Sequence, residues 1–225
     1  MTPTSLLRRT FGVLRIALAV LILVSVATQI GDRIVNNIFD PATYFSTFTV
    51  QSNLMNVVVL AVGGWFALRH RLDTALLTAV RVAVFSYAVV TGIVYAALLR
   101  GIPSEGYLGP EWANEVLHVV VPIFIVVDWL IAPGRTALPW RRLLLVIGYP
   151  LGWLAYTLVR GVFTGDYPYP FLDPSGAGGW PGVGVYIGGI AAFILVIGSV
   201  GIATSRLART RIADEAGLTA PVEAA

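Results

Sequence analysis

The sequence predicts an all-α polytopic integral membrane protein, a bundle of six transmembrane helices, and three observations carry that reading. Of 225 residues, 57% are hydrophobic and only 12% are charged, about half the charged share of an ordinary soluble domain. Six stretches are apolar over the ~20 residues that a helix needs to cross the hydrocarbon core. The basic residues are divided unevenly between the connections. A surface with so few charges needs lipid to cover it, in line with a mean hydropathy of +0.81.

The spans run over residues 11–30, 47–68, 74–99, 115–132, 143–163 and 183–204. The first follows Arg8 and Arg9, and its apolar run exceeds the ~7–15 residues of a signal-peptide core, which sets aside cleavage near Ala27. The second ends at the Arg69-His70-Arg71 turn, and the third ends at Arg100. The fourth is the shortest, and its start could lie a turn earlier, near Glu111. The fifth follows Arg141 and Arg142, and the sixth follows a connection rich in Pro, Gly and acids. All fifteen basic residues are Arg, as a GC-rich coding sequence would give. One set of connections carries Arg8, Arg9, Arg15, Arg69, Arg71, Arg81, Arg135, Arg141, Arg142, Arg206, Arg209 and Arg211; the other carries only Arg33, Arg100 and Arg160. The positive-inside rule then places both termini in the cytoplasm of a multi-pass cell-membrane protein. Residues 1–211 form one transmembrane domain. The small, polar segment 212–225 reads as a disordered cytoplasmic tail. No internal repeat of the transporter kind is evident. Gly184 and Gly188, a small-xxx-small pair, suggest close helix packing inside the bundle.

Several chemistries are excluded. Cysteine is absent, so there are no disulfides, thiolate catalysis or Cys-ligated metal. The only histidines, His70 and His118, fall on opposite membrane faces, so neither a zinc, a di-iron nor a bis-His haem site is expected. No nucleophile elbow, P-loop or dinucleotide fingerprint occurs. No cofactor and no metal are therefore expected. The net charge of +3 calls for no nucleic-acid partner, since the arginines serve orientation.

Polar groups at membrane depth are costly and usually face the bundle interior. Thr49, Ser52, Asn53 and Asn56 lie on one stripe of the second span, with Thr47 on the opposite face. Tyr149, Trp153, Tyr156 and Arg160 form a stripe on the fifth, and Arg81, Phe85, Gly92 and Tyr95 one on the third. His118, Pro122 and Ile125 share a face of the fourth, with Asp128 at its edge. Thr49, Asn53, Tyr95, His118, Tyr156, Arg160 and Tyr186 all fall within about two turns of the outer surface. A pocket open to the outer leaflet would serve them all. Taken singly, Asn53 and Asn56 also suit interhelical glue, Arg160 suits snorkelling to phosphates, and Trp180 suits the aromatic belt. In the inner half, Arg81 and Asp128 would each be costly alone, so a salt bridge between them is expected.

Two segments carry a family resemblance. One is Asn114-Glu115-Val116-Leu117-His118 with Pro122 and Asp128. The other is Thr164-Gly165-Asp166-Tyr167-Pro168-Tyr169-Pro170-Phe171-Leu172-Asp173. Both resemble the androgen-induced protein family and the bacterial six-span membrane proteins similar to it, over roughly residues 44–206. Its animal members are threonine hydrolases of fatty acid esters of hydroxy fatty acids, with the Thr on one helix and the His on another. The resemblance implies His118 as the family histidine and places the threonine at the 48–53 stretch, where Thr49 and the Thr47 just before it compete. Thr49 is preferred because it shares the Asn53 stripe. Pro122 follows His118 by four positions, a departure from the animal pattern, and the Ser52-Asn53 pair is of the bacterial type. The expectation is a hydrolase of membrane lipid esters. Thr49 would be its nucleophile and His118 its base, with Asn53, Tyr156 and Arg160 holding the oxyanion or a fatty carboxylate. The competing expectation is a non-catalytic lipid-binding or small-molecule transport protein with the same pocket.

The arginine distribution is directly testable. A single cysteine replacing Ser175 should react with an impermeant maleimide in intact cells, and one replacing Thr219 should react only after permeabilisation. Labelling of the tail from outside would reverse the topology.

Overall fold

The computed structural model describes residues 3–70, 72–101, 109–176 and 178–215. Six helices long and apolar enough to cross a membrane make an all-α bundle, and no strand occurs among the described residues. Helix α1 (Pro3–Val35) is followed by the short α2 (Pro41–Ser46) and by α3 (Phe48–Arg69). Helix α4 (Ala75–Val94) continues into a π-helical turn, Tyr95–Leu99. Helix α5 (Glu111–Glu115), a second π turn (Val116–Val120) and α6 (Val121–Ile131) form one continuous span. Helix α7 (Leu143–Thr164) and α8 (Gly179–Glu215) complete the bundle. Helix α8 runs four residues beyond the boundary read from the sequence, through the helix-compatible Ile212-Ala213-Asp214-Glu215. Residues 216–225, with the Thr219 probe position, lie outside the described residues.

Local chemistry sets the helix starts. Asp40 caps α2, its carboxylate accepting from the Ala42 and Thr43 amides at 3.0 and 3.2 Å, with Pro41 at the first helical position, where its missing N–H costs nothing. Thr47 caps α3 and Thr74 caps α4 through hydroxyls that accept from Val50 N and Leu77 N. Helix α7 stops at Gly165, whose φ of 70° turns the chain back toward the bundle.

Helices α1 and α3 approach most closely at facing glycines. A Cβ on Gly64 would stand 2.7 Å from the Gly12 carbonyl oxygen, so this crossing admits no side chain there. The other small-residue pair behaves differently. At Gly184 and Gly188 a Cβ would meet nothing within 4 Å, so their face of α8 is open and the expected internal packing is not there. The buried face of α8 instead carries Val183, Ile194, Ile202 and Ser205. An i, i+4 glycine pair does not by itself tell which side of a helix is covered. Helices α7 and α8 are the least buried of the six.

One end of the bundle is held by ions. Arg15 Nε and Arg81 Nη2 donate to the two oxygens of Asp128, each at 2.8 Å. Asp73 receives Arg8 Nη2 at 2.7 Å on one oxygen and Arg81 Nη1 on the other. Each of the four carboxylate oxygens therefore has its own guanidinium nitrogen, Arg81 serving one oxygen of each aspartate. Arg8 also donates to the carbonyls of His70 and Pro133, and Arg15 to that of Gly63. The network joins α1, α3, α4 and α6, and all five charged side chains are buried. The expected Arg81–Asp128 bridge is present and belongs to a larger array. Trp129 covers it, with the Arg81 and Arg135 guanidiniums 5.6 and 4.8 Å from its ring centre.

Breaking a buried pair by removing one partner leaves an uncompensated charge, at a cost of about 3–5 kcal/mol. Asp128→Asn and Arg81→Gln should each lower thermal stability in detergent, and the double variant should lose clearly less than their sum, because coupled residues are non-additive. Simple additivity would show that the two charges act independently.

Candidate functional site

At the opposite end of the bundle the polar residues form two clusters. In the first, the Thr164–Asp173 segment folds back over the start of α3. The Thr49 amide donates to the Tyr169 hydroxyl at 3.2 Å, and Thr49 Oγ lies 3.4 Å from the same oxygen. Tyr169 is held by ring contacts with Trp153 and Phe171, and Trp153 Nε1 donates to the Ser46 carbonyl at 2.8 Å. Arg160 anchors the segment, with Nη2 2.6 Å from Asp166 Oδ2 and 3.0 Å from Thr43 Oγ. Burial of its hydroxyl pushes the Tyr169 phenol above the ordinary tyrosine value, against the opposing pull of its hydrogen bonds with Thr49. The phenol therefore stays protonated at neutral pH and can donate.

The two candidate threonines have different surroundings. Thr47 Oγ donates to the Tyr44 carbonyl at 3.1 Å and accepts from Val50 N at 3.3 Å; it is a helix cap with both capacities used. Among the described residues Thr49 Oγ has only the long Tyr169 contact, and Thr49 is part of the wall of a cavity.

The second cluster is built on the two π turns. In the span of His118, the Val121 amide reaches back five residues to Val116 O. Pro122 has no amide hydrogen, and its ring disfavours a regular turn onto the His118 carbonyl four residues back; the π turn absorbs that mismatch. Gly92 lets α4 come close here, since a Cβ there would stand 3.0 Å from the Pro122 ring. The His118 ring stacks on Tyr95, with centroids 4.2 Å apart. Its Nδ1 lies 2.9 Å from the Asn114 carbonyl, which can only accept, so that contact puts the proton on Nδ1 and leaves a lone pair on Nε2 of the neutral ring. Asn114 Nδ2 donates to Tyr95 OH at 2.9 Å, and Glu115 accepts from Tyr95 OH at 3.2 Å and from Arg100 at 2.9 Å.

Asn53 links the clusters. Its Nδ2 donates to the Thr49 carbonyl at 2.9 Å and to the Leu117 carbonyl at 3.4 Å, which ties the Thr49 turn to the π turn of His118. Its Oδ1 is buried without a protein partner.

Between α4, α7, α8 and the Tyr169–Leu172 segment lies a cavity of about 90 Å³. Its walls are mainly apolar, with Val90, Val94, Leu154, Ile190 and Ile194 among them; its polar side chains are those of Thr49, Thr91, Trp153 and Tyr169, and no charged residue lines it among the described residues. Thr91 is 5% exposed, and its hydroxyl has no hydrogen-bond partner. Leu151, another wall residue, is 54% exposed in the middle of α7, so the cavity reaches the side of the bundle that lipid would cover. The remaining candidates lie apart from it. His118, Asn53, Tyr156 and Arg160 do not line the cavity; Tyr156 is 49% exposed, and Arg160 is occupied by Asp166. No group of three or more His, Asp or Glu side chains that could hold a metal occurs among the described residues. Tyr169 escaped the sequence reading as a site residue although it sits in the Tyr-Pro-Phe-Leu string. Thr91 carried no signal at all.

No family model matches the chain, and neither does any curated protein or solved structure.

The threonines are separable by stability. Thr47→Ala removes a cap and should cost about 1 kcal/mol. Thr49→Ala removes only a long contact and should leave the melting temperature in detergent nearly unchanged. A reversed order would mean that Thr49 Oγ, not Thr47 Oγ, holds the start of α3.

Proposed function

We propose that the chain is a cell-membrane protein that takes the acyl chain of a lipid into the cavity between α4, α7 and α8. The observation that supports this most is an apolar cavity that reaches the flank of a spanning helix and has three hydroxyl-bearing residues, Thr49, Thr91 and Tyr169, in its wall. Burial of apolar surface supplies the affinity, at roughly 25 cal/mol per Å², and a few placed polar groups orient the ligand. With both termini cytoplasmic, as the arginine distribution favours, the cavity lies toward the outer leaflet. The test is photolabelling of the purified protein in nanodiscs with a long-chain lipid carrying a diazirine in its chain. Labelled peptides should contain Leu154 or Ile190, and Ala191→Trp, which fills the cavity, should abolish the labelling. Labelling confined to residues outside the cavity would refute the reading.

A second reading is hydrolysis of a lipid ester, as the resemblance to the androgen-induced protein family implies. It is favoured by the Thr49 hydroxyl on the cavity wall with a phenol beside it. Thr49 Oγ would attack the ester carbonyl while His118 Nε2 takes its proton and returns it to the departing alkoxide, and water would then release the acid from the acyl-threonine. Because His118 stacks on Tyr95 away from the cavity, this chemistry requires the Asn53-linked turns to bring the imidazole to about 3 Å of the hydroxyl. Thr49→Ala and His118→Ala should then each abolish most ester turnover, with the double variant little worse, since the two would act as a unit. Unchanged turnover in Thr49→Ala would exclude this chemistry and leave binding intact.

A further inference from the structure

We propose that the cavity selects an uncharged lipid, a long-chain ester or alcohol, over the free fatty acid of the same chain; this rests on the cavity being a lipid site. The polar side chains on its wall, those of Thr49, Thr91, Tyr169 and Trp153, are all uncharged, and the Trp153 N–H is already taken by the Ser46 carbonyl. Thr91 is the informative one, because it is a wall residue whose buried hydroxyl has no partner among the described residues. A buried hydroxyl without a partner is costly, and a ligand oxygen placed beside it removes that cost. Thr49 and the protonated Tyr169 phenol add two neutral hydroxyls among the wall residues, one of whose protons is taken up by their mutual contact. An ester carbonyl accepts from such hydroxyls, and an alcohol both donates and accepts.

A carboxylate has no counterpart here. No arginine or histidine lines the cavity, and Arg160, the cation that the sequence offers for a fatty carboxylate, is paired with Asp166 at 2.6 Å. An ionised carboxylate in such surroundings would stay unpaired, so it would be excluded or would bind only after taking up a proton.

The experiment compares two photoreactive probes of one chain length, the methyl ester and the free acid, on the protein in nanodiscs. At about pH 9, where the acid is ionised, the ester should saturate labelling of the cavity at a concentration at least tenfold lower. The acid should gain on it as the pH falls to about 5, while the ester stays constant. Thr91→Val should weaken ester labelling roughly threefold to tenfold, the effect of one hydrogen bond, and Thr91→Ser should restore it at unchanged thermal stability. Equal labelling by acid and ester at pH 9 would overturn the selectivity while leaving the lipid site standing. Unaltered affinity in Thr91→Val would overturn the role of that hydroxyl. Labelling of cavity residues by neither probe would remove the lipid site itself.

Discussion

Two carboxylates shared among three arginines hold the bundle together at its arginine-rich end, and the positions of four helices follow from them. In hydrocarbon an isolated guanidinium or carboxylate is expensive. Asp73 and Asp128 are nevertheless fully buried beside Arg8, Arg15 and Arg81, because every carboxylate oxygen is matched and several remaining N–H groups find the carbonyls of Gly63, His70 and Pro133. Such an array contributes less to net stability than its contacts suggest, since desolvation offsets most of the attraction. Its contribution is registry: a slide of α1 against α4 or α6 by one turn would leave charges unpaired.

The rest of the bundle is arranged in relation to that anchor. Helices α1, α3, α4 and α6 converge on the ions, whereas α7 and α8 take no part in the network and are the least buried. The cavity opens against the two least buried helices, which stand outside the ionic network. At the far end, Arg160, Asp166 and Thr43 clamp the returning segment so that Tyr169 reaches Thr49. One end is thus fixed by charge, and the flank of the other is closed mainly by apolar contacts.

Much of this was legible in the sequence. Six apolar runs, Pro and Gly at their ends and the rarity of charge are properties of single segments, so the span count could be read one helix at a time. The Arg81–Asp128 pair was legible because two costly charges at similar depth have few alternatives. Arg8 and Arg15 were read only as orientation charges, since nothing in a one-dimensional pattern tells a residue that meets phosphate from one that meets Asp73 or Asp128. The candidate site was harder. Helical spacing put Thr49 on the inner stripe and His118 at the right depth, but it assumed uniform helices. A stripe also cannot say which neighbour it faces, so Tyr156 and Arg160, grouped with Trp153 by spacing, are respectively exposed and tied to Asp166. Thr91 has no sequence signature, because its significance lies in a missing partner.

The π turn at Val116–Val120 has a consequence for how this chain tolerates change. A π turn holds one residue more than the α turn that it replaces, and each residue of a regular helix advances the phase by about 100°. The extra residue therefore acts as a phase adjuster between α5 and α6, letting His118 meet Tyr95 while Asp128, ten positions on, still meets Arg15 and Arg81. A deletion that the π turn absorbs would leave a regular α turn with the two partners still in phase, whereas a further insertion would rotate one of them by about 100° away from its mate. What is constrained along this stretch is chiefly the phase, so apolar substitutions at Val119 or Val120 are mild where a single insertion is not.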